Sequence, residues 1–247
     1  MKKFNLLILA AGRGKRLGNK TNKMPKPLMK YKKKYLLDYQ LEIYKKYKNM
    51  NIYMVLGYQS KKIQNYLIKK KIKIFLNSKY KDTNMFFSFL FAKSLLNQKK
   101  DLIVVYGDII FKPKIFSKLI KDKHNLSISV DKNYLSYWKK RMKNPLKDLE
   151  TMIIKNKFVV QLGKKTSSYS EIQGQYMGLV KFSFKKFNKI KKIIKDIQTS
   201  HRQYKKFYFT DFLQLLINNN IKARAVETKG YWQEFDKPKD FKIDNLN

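Results

Sequence analysis

Continuous apolar runs alternate with amphipathic ones along the first half of this chain. "FNLLIL" (Phe4–Leu9) reads as a buried strand, and "YLLDYQLEIYKKYK" carries apolar residues at helical spacing. "NIYMVLG" (Asn51–Gly57), "IKIFLN" and "DLIVVYGD" (Asp101–Asp108) predict three further strands, with helices over "QSKKIQNYLIKK" and "NMFFSFLFAKSLL" between them. Strands without polar alternation, separated by helices, predict a three-layer α/β fold with a mostly parallel central sheet covered on both faces. In such sheets ligands sit beyond the carboxyl ends of the strands. The segments to inspect for chemistry are therefore those that follow Leu9 and Tyr106.

After Asp131 the pattern changes. A polar stretch around Pro145 leads to "TMIIKN" and "KFVVQL", which predict a small antiparallel insertion. "YMGLVKFS" predicts a strand, and a basic helix follows near Phe187–Ile197. "YFTDFLQLLINNN" predicts an amphipathic helix, and "KARAVE" and "WQEFD" predict closing strands. No Pro/Gly/Ser-rich linker and no repeat interrupts the chain, so residues 1–247 are expected to form one domain. Its first half (1–131) would bind one ligand and its second half (132–247) another.

Composition narrows the functional classes. The 247 residues are 43% hydrophobic, with 17 Phe and 17 Tyr, enough for a sizeable core. With no cysteine, disulfides, zinc thiolates and cysteine nucleophiles are excluded. The net charge of +40 invites a nucleic-acid reading. Only Arg13, Arg16, Arg141, Arg202 and Arg224 of the 57 basic residues are arginine, however, and the lysines are spread over the whole chain. Guanidinium forks, not scattered ammonium groups, read phosphates and base edges. A/T-rich codons account for the excess of Lys, Ile, Asn, Phe and Tyr, and no nucleic-acid partner is expected. "MKKFNLLILAAG" imitates a signal peptide, but its apolar run is short, contains Asn5 and enters a Gly/Lys loop. No stretch approaches the ~20 apolar residues that span a bilayer. A cytoplasmic protein without a membrane partner is expected.

"LAAGRGKRLGNKTNKMPKPL" (Leu9–Leu28) places three glycines and six basic residues directly behind the first strand. Glycine lets backbone N–H groups approach an anion, and Lys15, Arg16 and Lys26 add side-chain charge. A Walker A loop does not fit the spacing of Gly12, Gly14 and Gly18. The dinucleotide fingerprint fails because Leu17 stands where its third glycine belongs.

"LAAGRGKRL" followed by "MPKPL" resembles the signature L-A-A-G-x-G-x-R-[LM]…P-K of the nucleotidyltransferases that make nucleotide-activated sugars and alcohols. The resemblance implies the Rossmann-like fold of that superfamily. It implies that Leu9, Ala10, Ala11 and Gly12 follow the base and ribose with their backbone, and that Gly14 and Arg16 hold the β- and γ-phosphates. Lys26 would reach the α-phosphate and the incoming phosphate. The resemblance further implies Mg²⁺ on Asp108, at the exit of "VVYGD", and on Asp236, in the W-x-E-x-D-x-x-x-D pattern of "GYWQEFDKPKDF". Two carboxylates with phosphate oxygens suit this hard ion. Asp240 is expected to start a helix, and His124 and His201 to lie on the surface.

The chemistry that follows is in-line attack by a phosphate or phosphonate oxygen on the α-phosphorus of a nucleoside triphosphate, with loss of pyrophosphate. The nucleophile is already an anion, so no general base is required, and anion repulsion is the barrier to be offset. Arg16, Lys26, Asp108 and Asp236 are the expected catalytic residues. "NSKYKDTNMFFSFLFA" is similar to the phosphocholine cytidylyltransferase branch, which implies that Thr83, Asn84 and Ser88 face the nucleotide and that Asn84 caps a helix. The Gln-Pro-x-Gly-x-x type motif of the sugar branch is missing, which favours CTP.

The middle of the chain resembles cytidylyltransferases acting on phosphonate, phosphocholine or phosphoramidate head groups. Arg141 is the candidate clamp for a carboxylate or phosphonate. Asp131 or Asp148 is the candidate for an amine, and Trp138 or Trp232 for an aromatic face. Gln173, Gln175, Tyr176 and Glu234 complete the expected acceptor set with Lys26. The expected partners are CTP and a small phosphorylated or phosphonylated amine or amino acid, in a monomer or homodimer. A sugar-1-phosphate nucleotidyltransferase, a nucleic-acid-binding protein and a non-catalytic relative are the alternatives.

Overall fold

A computed structural model describes residues 3–246; Met1 and Lys2 of the signal-like amino terminus lie outside the described residues. Among these, nine strands form one sheet. From edge to edge they are Ile72–Leu76, Met50–Leu56, Phe4–Ala10, Asp101–Tyr106, Gln175–Phe182, Leu126–Asp131, Ala223–Thr228, Phe158–Lys165 and Glu150–Lys155. The first four are mutually parallel. Gln175–Phe182 runs against both of its neighbours, and Phe158–Lys165 against both of its own.

The strand sequences explain the layers. Alternate residues of a strand point to opposite faces. Leu7 and Leu9, with Val55 and Val104, join Phe86, Phe89 and Phe212 in one core. Leu6 and Ile8, with Met54, Ile103 and Val105, join Leu37, Leu41 and Phe116 in the other. A strand apolar on both sides needs a helical layer on each, and the expected mostly parallel three-layer α/β fold is what forms.

One feature agrees with the sequence reading and one differs from it. The expected antiparallel pair, Glu150–Lys155 and Phe158–Lys165, forms and extends the main sheet, because Val159 pairs with Ala223. The segment after "VVYGD" contains more structure than the sequence reading assigned. Ile109–Phe111 is a short strand, Pro113–Lys121 a helix and Leu126–Asp131 a fully buried central strand. "LSISVD" reads as half polar, but Ser127 and Ser129 are buried, so its alternation does not report exposure.

Register positions the functional end of the sheet. Leu9 is opposite both Val55 and Tyr106, so three strands finish together and the segments that follow them converge. Across the sheet's end, Trp232–Glu234 pairs antiparallel with Ile109–Phe111, with Glu234 opposite Ile109. The next N–H, that of Phe235, donates to the Asp108 carbonyl at 3.0 Å. This short ladder brings Asp108 and Asp236 side by side from opposite ends of the sequence.

Candidate active site

The loop after Phe4–Ala10 turns through Gly14, whose φ of +69° is disfavoured for a residue with a Cβ. A Cβ there would also stand 2.9 Å from Cε of Lys26, so glycine supplies both the turn and the room for that lysine. Gly107 plays a comparable steric part across the site, since its Cβ would meet that of Ala10 at 2.7 Å. The chain can then bring the Asp108 loop directly against the first strand, with the Gly107 N–H on the Leu9 carbonyl at 2.9 Å.

At the centre the Lys26 ammonium lies 2.8 Å from Oδ2 of Asp108 and 2.7 Å from Oδ1 of Asp236. Burial favours its neutral form, but the two carboxylates outweigh burial and hold its pKa above the ordinary lysine value. Burial likewise opposes ionisation of Asp236, and Lys26 and Arg16 overcome it, pulling the carboxyl down to about 2. Arg16 Nη2 reaches Asp236 Oδ2 at 2.8 Å.

A second shell of contacts fixes these groups. Asp240 accepts the backbone N–H groups of Asp236 and Lys237, both at 2.8 Å, which starts the turn expected at this position. Arg141, buried at 3% exposure, binds Asp240 through Nε at 3.1 Å and pairs with Glu234. Burial together with Asp236, Asp108 and Asp148 raises the Glu234 pKa against the pull of Arg141. Gln40, from the helix Leu36–Tyr44, donates to the carbonyls of Tyr106 and Ile109 at 2.8 and 2.7 Å, pinning the Asp108 turn from beneath.

Two cavities flank this centre. The first, about 210 Å³, is lined by Leu9, Ala10, Ala11, Gly12 and Gly14, together with Lys26, Asp108, Thr83, Asn84 and Ser88. Every expected nucleotide-contacting residue except Arg16 therefore gathers around one space. The second, about 500 Å³, is lined by Arg16, Asp236, Glu234, Trp138, Gln175 and Tyr176, among others. Five of the chain's 17 carboxylates (Asp108, Asp148, Glu150, Glu234 and Asp236) line the two cavities, a local concentration in a very basic protein.

Several expectations need correction. Asn84 occupies the N-cap position of Met85–Leu90, but its side chain donates to the Lys206 carbonyl instead of capping. Arg141 is no free clamp, because its hydrogen bonds go to Glu234 and Asp240 and its guanidinium lies over the Trp138 and Tyr137 rings. Asp131 is fully buried and accepts from the N–H groups of Asn133, Gly230 and the Trp232 indole at 2.7–2.8 Å, leaving it no route to an amine. Trp232 is itself fully buried and packs against Trp138 and Tyr137. Gln173 accepts from the Ile154 N–H at 2.7 Å and lies outside both cavities. His124 and His201 are exposed, as expected.

Other residues of the site escaped the sequence reading. Asn77, 1% exposed, donates to Thr83 and Ser88 at 3.2 and 3.0 Å and holds the wall of the first cavity. Tyr106, also unforeseen, meets the expected Tyr176 edge-on, 5.6 Å apart, in the second; burial raises both phenol pKa values. A signal for Gln40 existed, since it is a polar residue on the apolar stripe of its helix.

With this geometry in view, the comparisons with known proteins are direct. A model of the MobA-like NTP transferase domain matches residues 6–152, more than half of the chain. The chain belongs to this family. As a MobA-like NTP transferase it is a nucleotidyltransferase, and its fold is shared with solved structures. The CTP:phosphoglutamine cytidylyltransferase of Campylobacter jejuni is 39% identical over 97% of this chain and 98% of its own length. The CTP:phosphocholine cytidylyltransferase of Streptococcus pneumoniae superposes with a TM-score of 0.75 at 19% identity, covering 97% of this chain and 96% of that one. The inositol-1-phosphate CTP transferase of T. maritima gives 0.73 at 18% identity, covering 97% and 92%. Among the described residues no helix of this NTP transferase is long and apolar enough to cross a membrane.

Proposed function

We propose that this nucleotidyltransferase transfers the cytidylyl group of CTP to a small phosphorylated amine or amino acid, releasing pyrophosphate. The observation that carries this reading is the Lys26 ammonium, clamped between Asp108 and Asp236 at the meeting of two cavities. Transfer between two bound anions needs positive charge at that junction. The full-length relative at 39% identity supports the nucleotide and the acceptor class.

Chemically, an acceptor phosphate oxygen attacks the α-phosphorus, a new P–O bond forms, and the bond to the pyrophosphate oxygen breaks. Lys26 stays charged and stands at the junction, where it offsets the repulsion between the two anions. Arg16, 55% exposed at its side chain, adds charge from the second cavity. Gly12 and Gly14 let the loop backbone approach the triphosphate.

Asp108 and Asp236 fit a magnesium ion. Their carboxylates converge on a single positive charge in this structure, and the ion binds through one or two carboxylates with phosphate oxygens completing its shell. When bound it would neutralise triphosphate charge.

The test is pyrophosphate release with Mg²⁺ and each of the four nucleoside triphosphates, against phosphoglutamine, phosphocholine, 2-aminoethylphosphonate and glucose 1-phosphate. CTP with a nitrogen-bearing acceptor is expected to turn over. Turnover only with glucose 1-phosphate, or equal turnover with every nucleotide, would overturn the proposal.

A further inference from the structure

The second cavity carries a charge arrangement that the transfer reaction does not itself require. Asp148 stands 3.7 Å from Arg16 and accepts from the Trp138 indole, and Glu234 is taken by Arg141. Farther from the junction, Glu150 and Lys165 both line the cavity, from neighbouring antiparallel strands and directly opposite one another in register. Neither forms an ion pair within 4 Å among the described residues. Directly opposite positions have Cβ atoms roughly 5 Å apart, so a carboxylate and an ammonium are presented together to one small group. Burial pushes the Glu150 carboxyl up, with Asp211 and Asp148 adding to the rise and Lys165 and a Thr210 hydrogen bond opposing it.

We propose that Glu150 and Lys165 form a receptor for a zwitterion, Glu150 taking an ammonium and Lys165 a carboxylate, so that the acceptor is a phosphorylated α-amino acid. This rests on the cytidylyl-transfer reading above and names the acceptor class within it. The phosphate end of such a molecule faces Arg16 and the Lys26 junction, while its amino-acid end lies between the two opposed charges. A quaternary ammonium acceptor has no anion to offer Lys165.

The experiment compares phosphoglutamine with its analogues lacking the α-carboxylate or the α-amine, and with phosphocholine, using wild type, Lys165→Met and Glu150→Gln. Charge-assisted hydrogen bonds of this kind correspond to roughly 10–100-fold in affinity. Wild type is expected to lose that factor in kcat/KM, mainly through KM, when either charged group is removed from the acceptor. Lys165→Met should lose it for phosphoglutamine but stay within about twofold for the decarboxylated analogue, and Glu150→Gln should behave likewise toward the deaminated one. If wild type uses phosphocholine or the decarboxylated analogue as well as phosphoglutamine, or if Lys165→Met lowers all acceptors equally, the receptor assignment fails while cytidylyl transfer stands. If wild type turns over none of these acceptors with CTP, both fail together. Lys165 is exposed at a strand end and Glu150→Gln is isosteric, so both variants retain the fold.

Discussion

The two cavities, the first proposed for the nucleotide and the second for the acceptor, are built on different principles. The first is assembled from residues close in sequence: Leu9 to Gly14 and Lys26 belong to the end of the first strand and the segment that follows it, and Thr83 to Ser88 to the start of the helix Met85–Leu90. Strand register and the room left by Gly14 and Gly107 bring these segments together. The second is assembled from residues scattered between Arg16 and Asp236, and much of the chemistry-bearing content of its segment is spent on structure. Asp131, Arg141 and Trp232 carry charge and aromatic surface, but each is consumed by a buried partner. A residue's type thus suggests what it can bind, whereas its hydrogen-bond partners decide whether it is available to do so.

Substitutions on the two sides should therefore fail in different ways. The largest effect on turnover is expected from Asp108→Asn, which should lower kcat about a thousandfold with an unchanged circular-dichroism spectrum, because Asp236 still partners Lys26. Gly14→Ala should cost about 10–100-fold in kcat/KM, since the added Cβ meets Lys26 at 2.9 Å and shifts the ammonium from the junction. On the acceptor side, Arg141→Met should act through folding. It leaves Glu234 and Asp240 buried without their cation, and urea unfolding should show a loss of about 3–5 kcal/mol. An arginine serving as an acceptor clamp would instead raise KM and leave stability alone. The smallest effect belongs to Gln173→Ala, which removes one partly exposed hydrogen bond to Ile154 and should change acceptor KM by less than twofold and stability by about 1 kcal/mol.

How far the sequence could be read follows the same division. The strands and helices of the first half, and the loop from Gly12 to Lys26, were legible because apolar runs and glycine spacing are local signals. The placement of Asp236 beside Asp108 was legible only through the family pattern, since the short ladder between 232–234 and 109–111 leaves no periodic trace. "LSISVD" was missed because its serines are buried in mid-sheet, where tertiary packing overrides alternation. Gln40 and Asn77 were missed because a lone amide gains meaning only from the carbonyls and hydroxyls that the fold delivers to it. Arg141 was misread for the opposite reason. Its charge drew notice, but its two carboxylate partners lie about a hundred residues further along the chain.

The central claim is that Lys26, Asp108 and Asp236 mark the point where a nucleotide in the first cavity meets an anionic acceptor in the second. Phosphorus NMR of CTP, Mg²⁺ and phosphoglutamine with the enzyme tests it most directly. The account predicts that pyrophosphate and a new diphosphate-linked product appear together, at equal rates and only when the acceptor is present. Pyrophosphate released at the same rate without acceptor, or neither product formed, would contradict it.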